Sequence, residues 1–134
     1  AGLRLGYALS QDAALLEAMG RGGPPWSVSA PAMAAGMAAL ADTAGPEALR
    51  RLIRQERPRL SAGLAALGCR VCPGEANYLL FFCGVPDLPR RLAERGVLIR
   101  NCSNYYGLGP GWYRSAVRTE AENDLFLKIM EEVL

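Results

Sequence analysis

An α/β fold is the architecture this sequence predicts, and three observations point to it. From position 69 onward, short apolar runs at 69–72, 77–82 and 97–100 alternate with helix-forming stretches. Glycines stand where the helical stretches stop, at Gly68 and Gly96. A capping box, Thr119-Glu120-Ala121-Glu122, opens a final stretch with apolar residues at helical spacing. The result is a layer of helices on one face of a small sheet.

The elements follow in order. Residues 1–9 read as a strand with two glycines, which mark close approach by another backbone or a ligand. Ser10 caps a helix from Gln11 to about Met19, ended by the glycines at 20, 22 and 23. Ser29 and Pro31 open a second helix, whose body, 32–41, is alanine and methionine with almost no polar face. A helix apolar all round is expected to be buried or sandwiched. A long amphipathic helix spans 47–67, with Leu49, Leu52, Ile53, Leu60 and Leu64 on one side and arginines over much of the rest. Pro58 should kink or interrupt it, because it removes one backbone donor and clashes with the preceding turn. Strands at 69–72 and 77–82 come next, then a helix over 88–95 capped by Asp87, a buried strand at 97–100 and a strand at 113–117. The last helix presents Leu125, Phe126, Ile129, Met130 and Val133.

One loop holds the charged residues of interest. Arg100 stands at its start and Arg114 inside the strand that follows, with Asn104, Tyr105 and several glycines between them. Two planar guanidiniums at the ends of one loop can grip a ligand with two anionic groups, each bidentately. Ordinary surface ion pairs are the alternative.

Composition narrows the chemistry. The chain has 134 residues, enough for a real core, and a net charge of +2, too small to indicate nucleic acid. Histidine is absent, removing the commonest general base and metal ligand. Lys128 is the only lysine and lies in the last helical pattern, where a solvated role is expected. No apolar run is long enough to cross a membrane, and the N-terminus lacks the layout of a signal peptide. Cys69 and Cys72 have C-x-x-C spacing, but no second close pair completes a zinc site. Buried free thiols in a cytoplasmic protein are expected instead, with no metal.

Several stretches together resemble one family. Ala1-Gly2-Leu3-Arg4-Leu5-Gly6-Tyr7 is similar to a signature of class I/II aminotransferases, the fold-type I enzymes that use pyridoxal phosphate. Pro24-Pro25-Trp26-Ser27-Val28-Ser29, Ala76-Asn77-Tyr78, Leu98-Ile99-Arg100-Asn101-Cys102-Ser103-Asn104 and Trp112-Tyr113-Arg114-Ser115-Ala116-Val117-Arg118-Thr119 match it as well. The last but one of these resembles the branch of threonine-phosphate decarboxylase of cobalamin synthesis, which is related to histidinol-phosphate aminotransferase.

The resemblance implies a fold and a set of roles. It makes residues 1–45 the end of a large cofactor-binding domain, with its last strand and the start of the linking helices. It makes 46–134 the linking helix and the C-terminal small domain, a small sheet covered by helices. Arg4 would contact the cofactor phosphate, Arg114 the substrate α-carboxylate and Arg100 the substrate phosphate, with Asn104 beside them. The Schiff-base lysine would precede Ala1, so the chain alone would neither hold pyridoxal phosphate tightly nor turn over substrate. The partner is a small amino-acid phosphate, not nucleic acid or membrane, and the parent enzyme would be a homodimer. Without the resemblance, 69–134 also fits a non-catalytic, ferredoxin-like ligand-binding module.

Overall fold

The computed structural model describes residues 2–134. Its contacts divide into one unit at Ala1–Pro46 and another at Glu47–Leu134.

The first unit carries helices α1 (Ala13–Gly22) and α2 (Ala30–Ala41). Residues 2–9 form no strand, contrary to expectation, and Arg4 takes the left-handed conformation with φ 57°. A strand needs a neighbour to pair its backbone groups, and among the described residues this unit contains none. The α1 cap is Asp12 rather than Ser10: Asp12 Oδ1 accepts from Leu15 N at 3.0 Å, while Ser10 Oγ accepts from Asp12 N, ahead of the helix. The helix also passes Met19 to reach Gly22, its last turn bridged by the Glu17–Arg21 pair at 2.6 Å.

Helix α2 begins as expected, with Ser29 Oγ accepting from Ala32 N. Its burial does not follow. Only Ala32 is buried, while Met37 and Leu40 are 68% and 80% exposed. An all-apolar helix needs cover on every side, and this unit offers only the segment near Leu5 and Val28, which lines an apolar groove of about 530 Å³ with Met33, Met37 and Leu40.

Helix α3 (Ala44–Ala66) starts three residues before the expected Glu47, because Asp42 Oδ1 accepts from both Ala44 N and Gly45 N. It runs unbroken through Pro58. Gly68, at φ +82°, ends it: Gly68 N donates to the Ala65 carbonyl and Cys69 N to that of Leu64, the paired bonds of a Schellman close.

The second unit continues with β1 (Arg70–Val71), β2 (Tyr78–Phe82), α4 (Leu88–Ala93), β3 (Arg100–Asn101), β4 (Trp112–Ala116) and α5 (Glu120–Val133). The sheet order is β1-β2-β4-β3, every neighbour antiparallel. Side-chain alternation gives it two faces. Leu79, Phe81 and Tyr113 point inward and pack with Leu60 and Leu64 of α3, Leu88 and Leu92 of α4, and Phe126, Ile129, Met130 and Val133 of α5. Leu125, expected on that stripe, is 55% exposed, so the apolar part of the buried arc of α5 begins at Phe126.

Three further expectations shift. Asp87 precedes α4, but its side chain makes no capping bond; with φ 57° it turns its carbonyl to Arg90 N and Arg91 N instead. The strand expected at 97–100 forms only at Arg100–Asn101. Leu98 is 85% exposed, so the apolar run beside it is not a buried strand.

Helix α5 opens with the expected box: Glu122 Oε2 accepts from Thr119 N at 3.2 Å and from its hydroxyl at 2.6 Å. Hydrogen bonds from Arg118 and then Thr119 hold the Glu122 carboxyl down to about 2. A buried polar pair, absent from the sequence reading, ties α3 to α5. Asn123 Nδ2 donates to Glu56 Oε2 and to the Arg118 carbonyl, both at 2.8 Å, while Arg59 Nη2 donates to the same Glu56 oxygen at 2.7 Å. The Arg59 and Asn123 bonds keep the Glu56 carboxyl below its usual range. All four cysteines are free thiols, and burial followed by the neighbouring Cys83 pushes Cys69 up to about 12, a poor nucleophile.

Gly111 sets the entry to β4. It sits at φ +89°, and a Cβ there would come 2.6 Å from the Phe82 ring and 3.1 Å from the Cys83 carbonyl. Gly111→Ala should therefore cost about 2 kcal/mol, summing the left-handed penalty and local overpacking. The check is a fall in the urea midpoint at unchanged slope; an unchanged midpoint would refute it.

Candidate anion-binding face

The sheet face turned away from the helices carries the arginines. Arg100 on β3 and Arg114 on β4 are register partners, and Arg114 is opposite Leu80 on β2. Opposed residues project from one face with Cα atoms about 4.5–5.5 Å apart. The sequence placed these arginines at the two ends of a loop; the hairpin brings them directly across from each other.

Two like charges in this position repel, so something must hold them. No carboxylate does: among the described residues the ion pairs involve Arg21, Arg50, Arg59, Arg90, Arg95 and Arg118, and neither Arg100 nor Arg114. Aromatic rings hold them instead. The Arg114 guanidinium lies 4.5 Å from the Tyr78 ring centre, and that of Arg100 lies 5.8 Å from the Tyr105 ring. Each contact contributes about 0.5–2 kcal/mol and leaves the outward N–H donors free. A third guanidinium, Arg70 on β1, packs 5.0 Å from Trp112 and 5.4 Å from Phe82, which meet edge to face at 5.6 Å.

The β3–β4 loop is built by short backbone bonds. Asn101 Oδ1 accepts from Ser103 N, the Cys102 carbonyl from Tyr105 N, and the Tyr105 carbonyl from Leu108 N. Asn104 is exposed in this loop between Cys102 and Tyr105. Arg4 is exposed in the first unit. The sequence reading assigned no role to Tyr78 or Arg70; the period-2 alternation that puts residues 78, 80 and 82 on one face could have flagged Tyr78.

Chemically, the face offers two adjacent cationic forks. It can bind and orient a dianionic molecule.

The family model for aminotransferase class I and II matches residues 1–129. The chain belongs to the class I and II aminotransferase family. It is 43% identical to the threonine-phosphate decarboxylase of Salmonella typhimurium (strain LT2), over 99% of this chain and 37% of that protein. It is 38% identical to a histidinol-phosphate aminotransferase of Nitratidesulfovibrio vulgaris (strain Hildenborough), over 100% of this chain and 36% of that one. The crystal structure of the histidinol-phosphate aminotransferase from Clostridium acetobutylicum superposes with a TM-score of 0.58 at 30% identity, over 60% of this chain and 26% of that one. This aminotransferase-family chain thus spans a little over a third of the length of its curated relatives. Its helices on a small antiparallel sheet are part of the fold-type I architecture. Among the described residues, no helix is long and apolar enough to cross a membrane.

Proposed function

We propose that this chain is the C-terminal part of a pyridoxal-phosphate enzyme that decarboxylates L-threonine O-3-phosphate, in the chemistry of cobalamin synthesis. In this reading the first unit closes the large domain, and the second is the linking helix and small domain. The observation that carries it is the pair of opposed guanidiniums on the open sheet face, neither of them neutralised by a carboxylate among the described residues. A substrate with a carboxylate at one end and a phosphate at the other supplies one anion for each. The similarity to a threonine-phosphate decarboxylase supports the same choice.

The cofactor fits the one residue assigned to it. Arg4 is exposed and in none of the ion pairs among the described residues, and Cβ atoms added at its neighbours Gly2 and Gly6 would meet open space. A phosphate dianion can reach such a guanidinium without displacing a carboxylate. When bound, pyridoxal phosphate supplies an electron sink for the charge left on Cα as a bond there breaks. Lys128 is exposed on α5, and the lysine that anchors the cofactor belongs, in this reading, to the remainder of the enzyme.

What this chain adds is orientation. Arg114 grips the carboxylate and sets the angle of the bond to Cα, Arg100 fixes the far end by its phosphate, and Asn104 lies in the loop beside them. Together they determine whether carbon dioxide or a proton leaves. The ferredoxin-like, non-catalytic alternative loses to the family membership over residues 1–129.

The test is an assay of the complete enzyme with L-threonine O-3-phosphate, scored separately for carbon dioxide release and for amino transfer to a 2-oxo acid. Carbon dioxide release is expected to dominate. Faster amino transfer, or turnover of histidinol phosphate instead, would move the enzyme to the aminotransferase branch.

A further inference from the structure

A fourth arginine lies close to the three on the sheet. Arg57 projects from α3 and forms no ion pair with any carboxylate among the described residues. It is committed to backbone. Its Nε donates to the Gly74 carbonyl at 2.5 Å, and its Nη1 donates to the carbonyls of Ala76, at 2.9 Å, and Tyr78. The segment bends at 76–77 before it enters β2, and all three carbonyls converge on the one guanidinium.

The sheet explains why a side chain is needed there. Further along β2, the Leu80 carbonyl is paired by Cys72 N from the β1 side. Two residues earlier, Tyr78 presents its carbonyl to that same edge, but β1 begins and ends at Arg70–Val71 and the chain has left. Without Arg57 the segment 74–78 would lose three charge-assisted backbone bonds on this edge; on the other edge Tyr78 pairs with Ala116 of β4 and the Asn77 carbonyl accepts from Val117 N. Tyr78 is also the residue whose ring lies under the Arg114 guanidinium.

We infer that Arg57 is a positioning residue: by pinning the 74–78 segment it fixes the Tyr78 ring, and the ring in turn fixes the Arg114 guanidinium for its anion. The effect is geometric. Arg57 touches no ligand, and its charge is spent on three carbonyls. Loss of the clamp frees Tyr78 to swing from the sheet, and Arg114 then samples rotamers in which its fork misses the anion. The inference rests on the proposed role of Arg114 only for its catalytic consequence, since the clamp and the stack exist without any ligand.

The experiment reads the two separately. In the complete enzyme labelled at arginine 13Cδ, the Arg114 Hδ protons should carry an upfield ring-current shift. Tyr78→Leu should abolish it, and Arg57→Ala should remove half or more of it. Arg57→Lys, which keeps a charge able to reach one or two of the carbonyls, should restore part. Kinetically, Arg57→Ala should raise KM for the carboxylate substrate about tenfold with a smaller change in kcat, as expected when a ground-state grip is loosened. An Arg114 shift unchanged in Arg57→Ala while Tyr78→Leu abolishes it overturns the inference. If Arg57→Ala does not fold, an unchanged shift in a folded Arg57→Gln does the same. If the shifts behave as expected but Arg114→Ala leaves KM untouched, the clamp stands and the proposed function fails instead.

Discussion

Arg114→Ala in the complete enzyme is expected to lower kcat/KM for L-threonine O-3-phosphate about a thousandfold. That corresponds to roughly 4 kcal/mol, within the range seen when one member of a hydrogen-bonded charge pair is truncated and its partner left unmatched. Arg114 is half-buried on the sheet, backed by Tyr78 and opposite Leu80, so water replaces its donors poorly. Arg114→Lys should recover only part, because an ammonium is a point charge that cannot form two parallel bonds to a carboxylate. A loss of about 2–3 kcal/mol is expected to remain. The decarboxylated product provides the control. It keeps the amine and the phosphate but has no carboxylate, so it should inhibit parent and variants with the same constant. Inhibition that weakens as much as kcat/KM falls would mean that Arg114 acts on the fold or on the phosphate, and the carboxylate assignment would be wrong.

How far the sequence alone could go depended on whether a feature is local. The Thr119–Glu122 box, the Gly68 stop and the Ser29 cap rest on neighbours within a few residues, and each appears in the structure. The failures are non-local or compete locally. Ser10 and Asp12 are both capping residues, and only geometry shows that Asp12 receives Leu15 N. Residues 2–9 have a strand's composition, but a strand exists only where a second one pairs with it. The apolar surface of α2 announced burial, yet the cover is not among the described residues, leaving Leu40 80% exposed.

The same division runs through the candidate site. Arg100 and Arg114 were singled out by residue type and by resemblance, but their direct opposition follows from antiparallel register across the intervening loop, which no local pattern encodes. Tyr78 and Arg57 lie 36 and 57 positions from Arg114 in sequence and are brought to it by the β2–β4 pairing and by α3. Arginine on a helix full of arginines gives no hint that one of them clamps a strand. The Glu56–Asn123 contact was hidden for a similar reason, because an acid and an amide 67 residues apart read as solvated until their burial is seen.

Arg100 distinguishes the two anions. If Arg114 holds the carboxylate, Arg100 is left as the partner of the phosphate, and Arg100→Ala removes a donor set that only a phosphorylated substrate uses. The expected loss in kcat/KM is about 2–3 kcal/mol, or some 30- to 150-fold, for L-threonine O-3-phosphate, the worth of a few hydrogen bonds to a charged group. L-threonine, already a poor substrate for want of that contact, should lose almost nothing. Arg100 is exposed and its guanidinium lies 5.8 Å from the Tyr105 ring, so its removal leaves no buried group unpaired, and the thermal midpoint should stay near that of the parent. The two substrates therefore form a cycle in which the substrate phosphate and the Arg100 side chain are each removed, and the coupling between them is the quantity measured. Removing Arg100 also relieves its repulsion with Arg114, which should, if anything, tighten the carboxylate grip and make the loss on threonine smaller still. Equal losses on both substrates would leave the coupling at zero, and Arg100 would then serve the carboxylate or the loop, with the phosphate bound elsewhere.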